Sequence, residues 1–142
     1  MRKEYRQRLA REYRYAVTKM QETQQPAKKL FYFSVLFGEA QRMLNLEWNS
    51  ELALIYTVAQ HAHTQINTTI LAPGLGQVLP IDWTTVFEKL TRVADDLATY
   101  YEMAENDASK EGMYQTLGRL AEIAYMVSGN GSYLYEKGLI KF

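Results

Sequence analysis

A chain of 142 residues that is 47% hydrophobic fits one domain with a single core, and needs no metal or disulfide to hold it. It contains no cysteine, which excludes disulfides, thiolate metal sites and cysteine nucleophiles, and which suits a reducing compartment. Its 16 basic and 16 acidic residues cancel, but nine basic and only three acidic residues fall in the first 29 positions, giving that segment +6 and the remainder −6.

Partner choice can follow this local charge rather than the sum. The N-terminal stretch alternates charges and tyrosines and has no apolar h-region of a secretory signal. The longest apolar run, Leu30 to Phe37, is broken by Ser34 and is too short to span a bilayer. The expectation is a soluble, cytoplasmic protein without a membrane partner, in which the sequons at Asn67 and Asn130 are chance matches.

The hydrophobic period is helical almost throughout. From Arg2 to about Gln24, Tyr5, Leu9, Tyr13, Ala16 and Met20 recur at three- and four-residue steps and predict an amphipathic first helix. Pro26 ends it and suits the first position of a second helix, where its missing N–H costs nothing. That second helix, to about Leu44, carries Phe31, Tyr32, Phe33, Val35, Leu36 and Phe37; with almost no polar side, it is expected to be central and buried.

A third helix is expected to start at Asn49 or Ser50, both good caps, with a stripe of Leu52, Ile55, Tyr56, Ala59, His63, Ile66 and Ile70. Its β-branched end, Thr64 to Ile70, disfavours helix. Ala72 to Ile81, with two prolines and two glycines, fits neither helix nor strand. Asp82 then caps a fourth helix reaching Ala104, and Ile81 and Val86 form its hydrophobic staple. A fifth helix follows Asn106-Asp107, with Met113, Leu117, Leu120, Ala124 and Val127 on its stripe, and ends at Gly129-Asn130-Gly131. The apolar tail, Ser132 to Phe142, is expected to dock.

Apart from Ala72 to Ile81 the connections are short, which makes successive helices antiparallel neighbours. The fold class expected is an all-α antiparallel bundle of four to five long helices with a short docked C-terminal segment, one domain over residues 1–142. Gly38, Gly112 and Gly118 inside helices suggest close approaches between helices.

No cofactor motif emerges. His61 and His63 are two apart, so on a helix they point about 200° apart and cannot share an ion. Only His63 lies on the apolar stripe, where a core histidine is the simpler reading. Glu88, Asp95 and Glu102, seven apart, form one row on the fourth helix. With His63 they are the candidate metal ligands; the plainer reading is a solvated face in which Arg92 bridges Glu88 and Asp96. A further possibility is that this row faces the basic first helix.

On that first helix Arg8, Arg11 and Arg14, joined by Lys28 and Lys29, are candidates for contact with nucleic acid or an acidic partner. Glu4 and Glu12 dilute the face, and Glu4 can pair with Arg8 at i,i+4. Gly74-Leu75-Gly76 has no preceding strand and no following Lys-Ser or Lys-Thr, so it is no phosphate cradle. Leu75, Val78, Leu79 and Ile81 either close an end of the bundle or form a docking patch. No serine sits at a strand-to-helix elbow of the hydrolase kind.

Three functions follow as expectations. The first is a non-catalytic helical interaction module or small subunit of a larger assembly, self-associating as a homodimer or other homo-oligomer. The alternatives are a nucleic-acid-binding subunit using the basic first helix, by analogy with small helical subunits of ribonucleoprotein complexes, and a carboxylate-rich metal-binding bundle.

Overall fold

The structure is a computed structural model that describes residues 1–71, 81–103, 110–127 and 137–138. Five helices account for nearly all of these, with no strand among the described residues: α1 (Lys3–Glu22), α2 (Pro26–Leu44), α3 (Ser50–Leu71), α4 (Trp83–Glu102) and α5 (Lys110–Val127). The protein is an all-α antiparallel bundle.

Three helices, α2, α3 and α4, begin where their local chemistry demands. Pro26 occupies the first turn of α2. Asn49 caps α3, its Oδ1 accepting from Leu52 N at 3.0 Å. Asp82 caps α4 by accepting from Thr84 N at 3.0 Å, Thr85 N at 3.3 Å and the Thr85 hydroxyl at 2.8 Å. These bonds, the Thr85 hydroxyl's first, hold the Asp82 carboxyl below its usual pKa. Ile81, just before the cap, packs against the core together with buried Val86, as the staple requires. The β-branched end of α3 stays helical because it is buried on one face: Ile66 is wholly inaccessible, and Thr69 donates to Gln65 O and to Val127 O of α5. Packing overrides propensity there.

The Thr69–Val127 bond joins the C-terminal turns of α3 and α5, so these two run parallel. Arg6 in the first turns of α1 lies over Tyr100 and Tyr101 in the last turn of α4, so that pair runs antiparallel. Direction alternates through the whole chain, with neighbours in the order α1, α2, α3, α5, α4 around a closed ring. A direct contact between α2 and α4 divides the ring. The result is a four-helix bundle of α2, α3, α5 and α4, with α1 laid over the seam between α2 and α4.

The expected stripes point inward, except that Ile70 at the end of α3 is exposed. Leu9, Tyr13, Ala16, Val17 and Met20 of α1 are wholly buried, and they join buried residues of all four other helices in one cluster. At its centre the Tyr13 hydroxyl donates to Leu36 O at 2.7 Å, and the Tyr13 ring meets Tyr101 edge to face at 5.7 Å. Burial, with the nearby Glu39 charge, pushes the Tyr13 phenol well above its usual pKa.

Three expectations need correction. The second helix is not buried all round. It packs against α1, α3 and α4, but its outer side faces solvent, leaving Phe31 66% exposed and Tyr32, Val35 and Phe37 half-buried. A seam helix in a ring of five has neighbours on only part of its circumference. Second, the helical glycines mark no close approach: a Cβ added at Gly38, Gly112 or Gly118 would meet nothing within 4 Å. Third, α4 stops at Glu102, because Met103 is already extended. Leu75, Val78, Leu79, the Asn106–Asp107 turn, the Gly129–Gly131 stop and the tail from Ser132 lie outside the described residues, apart from the turn at Lys137–Gly138.

Candidate interaction surfaces

The seat of α1 over the α2–α4 seam determines what becomes of its arginines. On the α4 side, Arg14 reaches the acidic row. Its Nη1 contacts Asp95 Oδ1 at 2.6 Å, its Nη2 contacts Glu102 Oε1 at 2.5 Å, and Nη2 also donates to the Thr99 hydroxyl at 3.2 Å. Two carboxylates spaced seven residues apart on one face of α4 fit the fork of a single guanidinium. They hold it protonated and raise its pKa, hydrogen bonding to Glu102 contributing most. The basic first helix thus meets the acidic row within the chain.

On the α2 side Arg8 Nε donates to Glu39 Oε2 at 3.2 Å, and the other oxygen of Glu39 takes Arg42 from the same helix. Glu39 is 2% exposed, a buried carboxylate between two arginines. It displaces the expected Glu4–Arg8 pair, because a carboxylate shielded from water attracts a guanidinium more strongly than a solvated one does. Likewise Arg92 does not bridge Glu88 and Asp96; Asp96 is held by Arg119 of α5 at 2.7 Å.

At the end of the bundle holding the first turn of α1, the guanidinium of Arg6 sits 5.6 Å from the Tyr100 ring and 5.5 Å from the Tyr101 ring. Both tyrosines donate to Glu51 of α3, Tyr100 at 2.6 Å and Tyr101 at 3.2 Å. Burial first, then the Glu51 bond, push Tyr100 up to about 12, and burial raises Tyr101 well above the usual tyrosine value. These side chains bridge α3 and α4, whose backbones are not adjacent. Sequence reasoning missed both Glu39 and Glu51. The signal available was an acid inside an apolar helix, with Arg42 three residues away in the case of Glu39.

The five basic candidates are therefore not alike. Arg8 and Arg14 are engaged by carboxylates. Lys29 Nζ donates to Met20 O at 2.6 Å and closes the end of α1. Arg11 and Lys28 are exposed to solvent. Around them lies an aromatic ridge: the Tyr15 ring meets Tyr32 at 6.3 Å and Tyr32 meets Phe31 at 5.3 Å, both edge to face. Tyr15 is 51% exposed, and Lys19 Nζ sits 5.8 Å from its ring while pairing with Glu22 at 3.4 Å.

The metal candidates are dispersed. His63 of α3 packs edge to face on Phe37 of α2 at 5.2 Å, on a side of the bundle that α4 does not share. Desolvation lowers its pKa and favours the neutral ring. His61 and Glu88 are exposed, and Asp95 and Glu102 serve Arg14. Among the described residues no three metal-ligating groups come together. No described helix is long and apolar enough to cross a membrane.

The apolar feature that sequence reasoning passed over is the corner between α2 and α3. Trp48 is 74% exposed and Leu46 is 63% exposed. The corner is ordered by its own backbone: Asn45 N donates to Gln41 O at 3.1 Å, and Leu46 N and Glu47 N both donate to Met43 O at 3.0 Å. Arg2 reaches Glu47 at 3.6 Å and ties the start of α1 to it. The fold and these surfaces define an up-and-down five-helix bundle, and compared with protein-family models, curated proteins and solved structures the chain matches none.

Proposed function

We propose that the protein is a non-catalytic helical interaction module that self-associates through the α2–α3 corner. The observation that carries this reading is the exposure of Trp48 and Leu46 on a turn whose backbone is held by hydrogen bonds. Large apolar side chains on a preorganised scaffold lose little conformational freedom on docking, and tryptophan is enriched among the residues that dominate interface energetics.

The distribution of polar groups supports the same reading. Arg8, Arg14, Arg42 and Arg119 each pair with carboxylates of the same chain, and at the corner Trp48 and Leu46 stay open to solvent as large apolar side chains. A second copy is the occupant proposed, because an apolar corner can be self-complementary across a two-fold axis, in an isologous contact where each Trp48 meets the other.

Sedimentation equilibrium over a range of protein concentrations tests it. A defined oligomer that persists in moderate salt is expected, and Trp48→Glu with Leu46→Glu should convert it to monomer with unchanged helix content. A strict monomer at every concentration, or an oligomer indifferent to both substitutions, overturns the proposal.

A further inference from the structure

We propose that the aromatic ridge between α1 and α2 binds single-stranded nucleic acid, with bases stacked on Phe31 and Tyr15 and phosphates held by Arg11, Lys19 and Lys28. This goes beyond self-association and does not rest on it. Phe31 lies about 20 Å along α2 from the Trp48 corner, at 1.5 Å per residue, so either proposal can fail alone.

Three observations meet at the ridge. The rings of Tyr15, Tyr32 and Phe31 form a continuous edge-to-face series, and its two ends, Tyr15 and Phe31, are 51% and 66% exposed. A phenylalanine left in water forgoes the burial that Phe33, wholly inaccessible two positions on, obtains in full. Tyr32, half-buried between the two ends, fixes them in place, so the stacking platform exists before any ligand arrives.

Second, cations frame the series. Arg11 is one turn before Tyr15 on α1, and Lys28 is one turn before Phe31 and Tyr32 on α2; both side chains are exposed. Lys19 lies against the Tyr15 ring. Nearby acids are Glu22, paired with Lys19, and half-buried Glu12.

Third, the other cations of α1 and α2 are already engaged, Arg14 by Asp95 and Glu102 and Arg8 by Glu39. On these two helices the charge left open, that of Arg11 and Lys28, therefore lies beside the exposed rings, with Lys19 shared between Glu22 and the Tyr15 ring. Aromatic faces accept any base, and interleaved cations track a flexible phosphate backbone, which is the chemistry of a single strand with little sequence preference. A duplex would bury its base faces and leave the rings without a partner, and an acidic protein segment would not need three rings.

The test is fluorescence anisotropy of the full chain with labelled oligo(dT) and oligo(U) of about 12 nucleotides, within the site sizes such surfaces cover. Binding at low salt is expected, with log K falling against log[salt] at a slope of about −2, as three phosphate contacts on a single strand imply. Phe31→Ala or Tyr15→Ala should each weaken binding about 5- to 150-fold, the range for loss of one stacked base. Lys28→Glu should weaken it and flatten the salt slope. Helix content and the oligomeric state should remain those of the parent, since both rings are largely exposed.

Several results overturn the proposal: no binding at low salt; binding indifferent to loss of Phe31 and Tyr15; equal affinity for inorganic polyphosphate, which has no bases to stack; or loss of self-association in Phe31→Ala, which would make the ridge a protein interface.

Discussion

Reversing the charge of Arg14 and of Arg11 makes the same chemical change one turn apart on one helix, and the structure separates the two. Arg14→Glu removes contacts to Asp95 and Glu102 and sets a third carboxylate beside them. Arg14 is 36% exposed and its partners 43% and 42%, so solvent screens each pair and the values for surface pairs apply. Two pairs at about 0.5 to 1 kcal/mol each, plus a like-charge penalty of about 0.2 to 0.5 kcal/mol, give a loss of about 1 to 2.5 kcal/mol. With a urea m-value of about 2 kcal/mol/M, the midpoint falls by about 1 M. Arg11→Glu touches no partner and should change stability by less than about 0.5 kcal/mol. Trp83, packed against the core at the start of α4, supplies the fluorescence signal. The Arg14→Glu deficit should also shrink in 1 M NaCl, where the Debye length is about 3 Å. Equal midpoints for the two variants, or a deficit that ignores salt, would refute the assignment of Arg14 as the α1–α4 lock.

Gly118→Ala should stabilise the protein by about 0.5 to 1 kcal/mol, since the site is helical and exposed and the added Cβ meets nothing; a loss in the urea midpoint would mean that a neighbour was overlooked. Glu39→Ala should cost about 2 to 4 kcal/mol, because a buried carboxylate that accepts from Arg8 and Arg42 is replaced by a void and two arginines lose their acceptor; a double-mutant cycle with Arg8→Ala reading near zero coupling would contradict this. Tyr13, Tyr100 and Tyr101 all ionise at higher pH in the folded state than free tyrosine, so their contribution is complete below about pH 10 and declines as pH rises through the folded values. Urea melts between pH 9 and 11.5 should show that decline, and Tyr100→Phe should make it shallower; an identical slope in the variant would count against the burial argument. His63 titrates below its usual value when folded, so its share of stability is present above about pH 6.5 and is lost as pH falls through the lower folded pKa. His63→Phe should remove that loss, and melts at pH 5 and 7.5 that differ as much as the parent's would exclude it.

Much of the fold was legible because local signals and the tertiary answer agree. Pro26, Asn49 and Asp82 each mark a helix start by chemistry that needs no partner beyond the next turn. The row of Asp95 and Glu102 could be read as facing a basic helix, since a spacing of seven keeps both on one face. Which arginine they would take could not be read. Arg11 and Arg14 differ by about 60° around the helix, and that rotation, set by how α1 settles on the α2–α4 seam, sends one to carboxylates and the other to water. Ion pairs expected from i,i+4 spacing, Glu4–Arg8 and Glu88–Arg92–Asp96, lost to partners on other helices at Glu39 and Arg119. Periodicity also cannot report how many neighbours a helix has, so the aromatic run of α2 reads as buried although Phe31 stands in solvent.

The charge imbalance written along the chain acquires its meaning from this geometry. A segment carrying +6 beside a remainder carrying −6 could have produced an open dipole or a closed one. Arg14 closes it on the α4 side, and Glu39 does so on the α2 side with a single acid. Among the described cations of α1 and α2, Arg11 and Lys28 are exposed without a carboxylate partner, and they flank the rings of Tyr15 and Phe31. A purely structural role for α1 would predict the opposite placement, with its leftover cations scattered over polar surface and its aromatics inside. Replacing Phe31 by lysine separates the alternatives in one step. If the ridge serves only the fold, the exchange of an exposed ring for a charge should leave stability within about 0.5 kcal/mol and change nothing else. If it is a stacking platform, the added cation should strengthen the salt dependence of oligonucleotide binding while removing the contribution of the ring, two effects that a single salt titration distinguishes.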